Sequence, residues 1–232
     1  MGLQASFSKK IFRFGFEART SRGPMNDKTS WFVNVWSDNK PGIVGIGECG
    51  PLPGLSIDAV PDFENNLASV VNNIAALKEL DSDVFQRLSD IIPPGFPAIT
   101  FGLETALLDL INDGKRIIYF NDFILGVPIP INGLIWMGGQ HFMRKQVDQK
   151  IAQGFSCIKL KIGGLDFGSE CEVLEYIRHQ YRHKNIQIRL DANGAFSTDV
   201  ALPRMRELAK FNIHSIEQPI QPGLPDMEIL CR

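Results

Sequence analysis

The sequence has few cysteines, no long hydrophobic run and no excess of positive charge. Its four cysteines in 232 residues include no Cys-x-x-Cys pair, which argues against a disulfide framework. No apolar stretch approaches the roughly 20 residues of a membrane span, and no signal peptide is recognisable at the N-terminus. A net charge of −2 argues against nucleic-acid binding through a basic surface. We therefore expect a reduced, cytoplasmic protein whose partners include neither nucleic acid nor membrane.

The composition is that of an ordinary globular protein, with 44% hydrophobic and 22% charged residues. The length suits one large domain or two small ones. Strand formers dominate the N-terminal part, and two helical patterns follow. On the second predicted helix we expect Glu104 and Asp109 to be exposed or to cap the helix. The predicted elements are strands over 11–16, 31–36 and 43–48, a polar loop over 20–28, and helices over 61–80 and 101–111.

From about Pro128 the pattern changes to strands that alternate with helices, which is typical of a parallel sheet or an α/β barrel. A closed (β/α)8 barrel needs about 250 residues. This region therefore indicates either a small open sheet or the first half of a barrel whose second half is missing. The predicted strands cover 129–136, 157–162, 186–191 and 213–217, and the predicted helices cover 143–153, 166–181 and 197–211.

Charged residues recur at the ends of three successive predicted strands. Because strand side chains alternate between faces, Lys159 and Lys161 share one face of the first strand. Asp191 and Glu217 end the next two strands, at spacings of 30 and 26 residues. The carboxyl ends of strands form the edge of an α/β sheet where functional sites are built. The sequence thus predicts that Lys161, Asp191 and Glu217 lie together.

These residue types suit one kind of chemistry. Two carboxylates from neighbouring strand ends can bind Mg²⁺, which prefers oxygen ligands, and the ion can offset the charge of an enediolate. A lysine desolvated beside the ion is able to serve as a general base. The alternative is structural: Lys159 and Lys161 would lie on a solvent-facing edge strand, and Asp191 and Glu217 would cap loops.

Residues 45–50 are Gly-Ile-Gly-Glu-Cys-Gly, which matches the Gly-x-Gly-x-x-Gly pattern of dinucleotide-binding sites. Such a site needs a helix immediately after the glycines, and Pro51-Leu52-Pro53-Gly54 follows instead. Tight turns are the better interpretation, so we expect no nucleotide here.

The motifs around the charged residues resemble the enolase superfamily, in its muconate-lactonizing subgroup. The Lys-x-Lys motif is Lys159-Leu160-Lys161, and the acidic residues stand in Leu190-Asp191-Ala192-Asn193 and Ser215-Ile216-Glu217-Gln218-Pro219. Within the superfamily, residues 47–56, 101–106 and 130–136 are most similar to the o-succinylbenzoate synthases, a family of lyases in menaquinone biosynthesis.

The resemblance implies a particular fold. Residues 1–127 would form an α+β capping domain, and residues 128–232 would form about the first half of a TIM-type α/β barrel. Superfamily members supply a third metal-binding carboxylate and an opposing lysine from later strands. This sequence has no counterpart of either residue.

The resemblance also implies roles for the site residues. Lys161 would abstract the proton α to the carboxylate of a small-molecule substrate, and Lys159 would support it electrostatically. Mg²⁺, with Mn²⁺ as the alternative, would be the cofactor. The metal ligands would be Asp191 and Glu217, and the substrate contacts would be Asn193, Trp136 and Arg22. Trp136 can equally be a packing residue, whereas Arg22 lies in a predicted loop that would close over the substrate.

The expected activity is a Mg²⁺-dependent dehydration by the o-succinylbenzoate synthase reaction. A dipeptide epimerase or N-succinylamino acid racemase of the same superfamily would share the Lys-x-Lys motif and both carboxylates. An alternative of a different class is a non-catalytic fragment, or a paralogue that only binds a ligand. The sequence leaves the oligomeric state open.

Overall fold

The computed structural model describes residues 2–20 and 23–231. The chain divides into two compact units, one formed by Met1–Gly15 and Asp27–Pro128 and the other by Phe16–Asn26 and Ile129–Arg232. Within the described ranges, no helix is long and apolar enough to cross a membrane. The assignment of residues 1–127 to a capping domain and of 128–232 to a barrel stays a prediction.

The first unit contains most of a three-stranded sheet, whose first two strands also include residues 16–20 and 23–26 of the second unit. Its strands are β1 (Leu3–Thr20), β2 (Gly23–Ser37) and β3 (Gly45–Cys49), in that order. β2 and β3 pair antiparallel, and Val33 and Val35 on one face of β2 are fully buried. The predicted loop over 20–28 is wrong for residues 23–28, because β2 already begins at Gly23 and continues as one long strand.

Two α-helices follow the sheet, α1 (Phe63–Asn72) and α2 (Pro97–Ile111), with 3-10 helices at Ile74–Leu77 and Gln86–Asp90 between them. The single helix predicted over 61–80 is interrupted at Asn73, and the chain leaves helical geometry at Lys78, where φ is +62°. The apolar positions that predicted this helix are all buried. They are Phe63, Leu67, Val70, Val71, Ile74 and Leu77.

Two glycines of β3 allow α2 to pack directly against the strand. A Cβ at Gly47 would lie 1.8 Å from the carbonyl oxygen of Gly102, and one at Gly45 would lie 2.0 Å from that of Ala106. Glycine is therefore required at both positions by the close approach of two backbones. The strand predicted over 43–48 is confirmed for residues 45–48, and the interpretation of the same glycines as tight turns is wrong.

Asp109 ties α2 to β3. The side chain is fully buried, so its expected exposure is wrong. One carboxylate oxygen accepts a hydrogen bond from the backbone N–H of Arg116 at 2.7 Å. The other accepts one from the backbone N–H of Ile46 at 2.9 Å and one from the Arg116 guanidinium. The buried charge is thus satisfied by donors from two segments of the chain.

The second unit alternates strands with helices, as predicted. Its strands form one parallel sheet in the order β4-β5-β6-β7. The elements are β4 (Gly133–Ile135), α3 (Gln140–Ala152), β5 (Cys157–Lys161), α4 (Phe167–Gln180), β6 (Gln187–Asp191), α5 (Thr198–Ala209), β7 (Ser215–Glu217) and α6 (Asp226–Leu230).

β4 is shorter than the predicted strand over 129–136. Pro128 and Pro130 have no N–H to donate to a sheet, and the side chains of Ile129 and Ile131 are exposed. Only the three residues after Asn132 pair with β5.

One face of the parallel sheet forms the core of this unit. Ile158 and Leu160 of β5 and Ile188 and Leu190 of β6 are buried in a single apolar cluster with residues of α3, α4 and α5. Because side chains alternate along a strand, the residues between them point to the opposite face. The polar side chains of β5, β6 and β7 are therefore gathered on that opposite face.

Candidate active site

Three charged residues lie side by side at the carboxyl ends of neighbouring strands. Lys161 of β5 is in register with Asp191 of β6, and Asp191 is in register with Glu217 of β7. Adjacent strands lie about 4.8 Å apart, so the three side chains form one short row. The predicted proximity is confirmed. The alternative of an exposed edge strand is wrong for β5, which lies between β4 and β6.

The two lysines make different contacts. The Nζ atom of Lys161 donates to Asp191 Oδ2 at 2.9 Å and to Asn193 Oδ1 at 2.8 Å. The Nζ atom of Lys159 lies 3.2 Å from the same Asp191 oxygen and 2.5 Å from Glu217 Oε2. Lys159 therefore bridges the two carboxylates, whereas Lys161 contacts one carboxylate and one amide oxygen.

The site is half shielded from water, and the pKa shifts of Asp191 and Lys159 both favour the charged form. The Asp191 side chain is 3% exposed and that of Lys159 is 23% exposed. Burial acts to raise the pKa of Asp191, but the Lys161 ammonium, with Lys159 and the Asn193 N–H, outweighs it and lowers the pKa. Burial likewise acts to lower the pKa of Lys159, and its bonds to Glu217 and Asp191 outweigh it and raise that pKa.

The loops after β6 and β7 are joined by backbone hydrogen bonds. The N–H of Ala192 donates to Glu217 O at 3.0 Å, and the N–H of Gly194 donates to Gln218 O at 2.7 Å. Asn193 and Gln218 both adopt left-handed conformations, with φ of +48° and +44°. Such strain in residues other than glycine is concentrated at functional sites. Here it places the Asn193 amide against Lys161.

Asp191 and Glu217 fit a magnesium ion as a pair of hard oxygen ligands. Their oxygens converge on one cation, since the Lys159 ammonium lies within hydrogen-bond distance of both. Within the described part of the chain, no group of three or more His, Cys, Asp or Glu residues is placed to hold a metal. The pair can contribute two ligands to this ion, because Mg²⁺ is often held by one or two carboxylates with water and substrate in the rest of its shell.

The other residues expected at the site have different outcomes. Trp136 follows directly after β4, at the same end of the sheet as Lys161, and its backbone N–H and C=O are both bonded to the Gln146 side chain. Arg22 lies outside the described residues. Lys28, the last residue of the predicted closing loop, is part of β2 and pairs with Glu48 at 2.8 Å.

Arg189 also faces the site, although it is not among the residues that the sequence predicts there. It lies in register between Lys159 and Ser215, one level below the row of Lys161 and Asp191. Its Nε atom is buried and has no hydrogen-bond partner among the described residues. Strand alternation already places Arg189 on the same face as Asp191, so the signal was present in the sequence.

Glu170 was missed for a different reason. Its side chain is buried, and its Oε1 atom accepts the backbone N–H groups of Gly163, Gly164 and Leu165 at 2.6, 3.1 and 3.2 Å. Burial raises the pKa of this carboxyl, although the three N–H groups act in the opposite direction. Glu170 thus fixes the loop that follows Lys161. An acidic residue in the first turn of a helix carries no sequence signal for that role.

Comparisons with known proteins define the class. Residues 142–231 match the family described as "Enolase C-terminal domain-like". The o-succinylbenzoate synthase of Desulfotalea psychrophila is 38% identical over 255 residues, which covers 99% of this chain and 68% of that protein. The chain therefore belongs to the enolase superfamily.

Solved structures agree with this assignment. The crystal structure of MenC from Desulfotalea psychrophila has a TM-score of 0.80 at 33% identity, covering 100% of this chain and 68% of that one. Two further likenesses support the fold alone. The dipeptide epimerase of Enterococcus faecalis, complexed with Mg and a dipeptide, has a TM-score of 0.76 at 20% identity, covering 95% of this chain and 62% of that one. The o-succinylbenzoate synthase of Thermosynechococcus elongatus, with Mg in the active site, has a TM-score of 0.73 at 22% identity, covering 100% of this chain and 65% of that one.

Proposed function

We propose that this chain carries the lysine pair and two metal-binding carboxylates of an o-succinylbenzoate synthase-type lyase in menaquinone biosynthesis. The reaction converts 2-succinyl-6-hydroxy-2,4-cyclohexadiene-1-carboxylate into 2-succinylbenzoate. The observation that carries the proposal is the row of Lys161, Asp191 and Glu217 across three parallel strands. The corresponding fold is an α+β capping domain followed by the first part of a TIM-type barrel, and the 38% identity to a synthase supports the substrate class.

Lys161 is the general base of this reaction. Its Nζ atom takes the ring proton α to the substrate carboxylate, and the hydroxide that leaves the ring completes the loss of water. Asn193 Oδ1, at 2.8 Å, fixes the direction of the Lys161 side chain. The amide oxygen is uncharged, so Asn193 orients the Lys161 side chain without placing a second negative charge, besides that of Asp191, next to Nζ.

Lys159 contributes charge rather than proton transfer. Its ammonium, paired with both carboxylates in this structure, stays positive beside the substrate carboxylate. Asp191 and Glu217 would hold Mg²⁺, with Mn²⁺ as the alternative ion. When bound, the ion would offset the negative charge that develops on the substrate carboxylate as its α-proton is lost.

A dipeptide epimerase is the second candidate, favoured by the likeness of this fold to the Enterococcus faecalis epimerase. The same Lys161 geometry would then remove the α-proton of a dipeptide residue. A chain that only binds a carboxylate ligand is the third possibility and would show neither reaction.

The proposal is tested by incubating the full chain with the cyclohexadiene carboxylate and Mg²⁺ and measuring 2-succinylbenzoate. We expect Mg²⁺-dependent product, and a loss of about 10³-fold in rate for Lys161→Ala with an unchanged circular dichroism spectrum. Dipeptides in D₂O form the parallel assay. Deuterium at the α-carbon without dehydration would support the epimerase, and no reaction in either assay would contradict both enzymatic functions.

A further inference from the structure

The two lysines of the site differ in what holds them. Lys161 has an anchor that is not a metal ligand, the amide oxygen of Asn193 at 2.8 Å. The contacts of the Lys159 ammonium are with the oxygens of Asp191 and Glu217, the two residues assigned to the metal. A divalent cation on these carboxylates would therefore take both anchors from Lys159 and would leave Lys161 with one.

The Lys159 ammonium also lies where the two carboxylates converge. It is 2.5 Å from Glu217 Oε2 and 3.2 Å from Asp191 Oδ2. A lysine ammonium is a compact point charge on a flexible stem. It can therefore neutralise a carboxylate pair in the way a metal ion does, and it can also move away. Its side chain is 23% exposed, so the stem has room to turn.

We infer that Lys159 is a displaceable counter-cation. Its ammonium neutralises Asp191 and Glu217 before a metal ion binds, and metal binding releases it from them. This inference rests on the proposed function, because it takes Asp191 and Glu217 as the metal ligands. A lysine and a divalent cation cannot both occupy the convergence point, since their charges repel at contact distance. Metal binding and the release of Lys159 are then one event.

The coupling has a consequence for the substrate. Lys159 released from Asp191 and Glu217 is a cation without a carboxylate partner, next to a base that Asn193 still holds. A substrate carboxylate supplies the missing partner. The site therefore gains its full affinity for a carboxylate ligand only after the divalent cation has bound, which imposes an order of binding.

The test measures Mn²⁺ affinity of the full chain by the electron paramagnetic resonance signal of free Mn²⁺, without any assay of activity. We expect Lys159→Met to bind Mn²⁺ at least tenfold more tightly than the unaltered chain. The matched control is Lys161→Met, which removes an equal charge from the same Asp191 oxygen, at 2.9 Å, and leaves Glu217 untouched. That variant should tighten binding no more than threefold. Lys159→Arg, which can still bridge the pair, should bind like the unaltered chain.

A second readout follows the ammonium itself. In chain labelled with ¹⁵N-lysine, the Nζ resonance missing from Lys159→Met should shift on saturation with Mg²⁺ by more than that of Lys161, because Lys159 loses both of its contacts and Lys161 loses one of two. Equal tightening in the two methionine variants would overturn the inference, because loss of charge alone would explain it. If neither the unaltered chain nor Lys159→Met bound Mn²⁺ more tightly than Asp191→Asn, the metal site itself would be wrong, and the proposed function would fail with it.

Discussion

Two buried aspartates, one in each unit, show how differently this chain treats a charge. Asp109 and Asp191 are both almost without solvent exposure, at 0% and 2%. Asp109 is held by backbone N–H groups of two segments and by the Arg116 guanidinium. Asp191 accepts one backbone N–H, from Asn193 at 3.1 Å, and otherwise faces two lysine ammonium groups.

The difference separates a charge that serves the fold from one that, under the proposed function, serves chemistry. Backbone donors cannot leave Asp109 without unfolding the segment that carries them, so its interactions are permanent. The ammonium groups around Asp191 are on flexible stems and can exchange for a metal ion or a substrate. Burial alone therefore does not distinguish the two aspartates, whereas the kind of donor does.

The largest effect that tests this comparison is expected from removing the charge of Asp109. Asp109→Ala leaves the N–H groups of Ile46 and Arg116 without their acceptor between α2 and β3. We expect a loss of about 3 kcal/mol in the free energy of unfolding of the first unit, because buried unsatisfied donors carry their full desolvation cost. Hydrogen exchange measured by mass spectrometry resolves the two units, and the faster exchange should be confined to residues 31–49 and 97–111.

The control for this variant is Asp113→Asn, which removes the charge and keeps a residue suited to the left-handed backbone at this position, where φ is +60°. Asp113 lies in the same turn after α2, and it is exposed and paired with Lys40 at 2.8 Å. Its loss should leave hydrogen exchange nearly unchanged, because exposed ion pairs contribute little. Equal effects of the two variants would contradict the assignment of Asp109 as the anchor.

A smaller effect tests the strained loop of the site. Asn193 has a left-handed backbone, with φ of +48°. Alanine in that conformation costs about 1 kcal/mol more than glycine. We expect Asn193→Ala to lower the unfolding free energy of the second unit by about that amount relative to Asn193→Gly. Both variants lose the Lys161 anchor, so their difference isolates the backbone; equal urea midpoints would exclude strain at this position.

The local periodicities of the sequence predicted most of the second unit and the faces of its strands. The period-2 alternation places Lys159 and Lys161 on one face, and regular spacing puts Asp191 and Glu217 at the same sheet edge. These features depend on neighbouring residues alone. The same logic buries the apolar positions of α1.

The features that were missed depend on contacts between distant segments. Gly47 reads as a turn residue, and only the approach of α2 to β3 shows that its missing side chain is a packing requirement. Asp109 looks like a surface residue in the sequence, because the groups that donate to its carboxylate belong to β3 and to the turn after α2. Which lysine meets Glu217 depends equally on register between strands, which no local pattern contains.

The smallest expected effect concerns Glu170, a buried carboxylate that has backbone donors like Asp109 but a raised pKa. Its three donors are backbone N–H groups, yet burial raises its pKa above the ordinary value of 4.5. The folded state then binds this proton more tightly than the unfolded chain does. The contribution is therefore fully present below pH 4.5 and is lost as the pH rises through the raised folded-state pKa.

Glu170→Gln has no such proton and keeps an oxygen acceptor for the three N–H groups. Relative to this variant, the free energy of unfolding of the unaltered chain should fall progressively as the pH rises from 4.5. Urea unfolding of both proteins across this range, with the difference taken at each pH, cancels the titration of all other groups. A difference that does not change with pH would show that the three backbone donors fully offset burial, and Glu170 would then belong with Asp109 as a purely structural anchor.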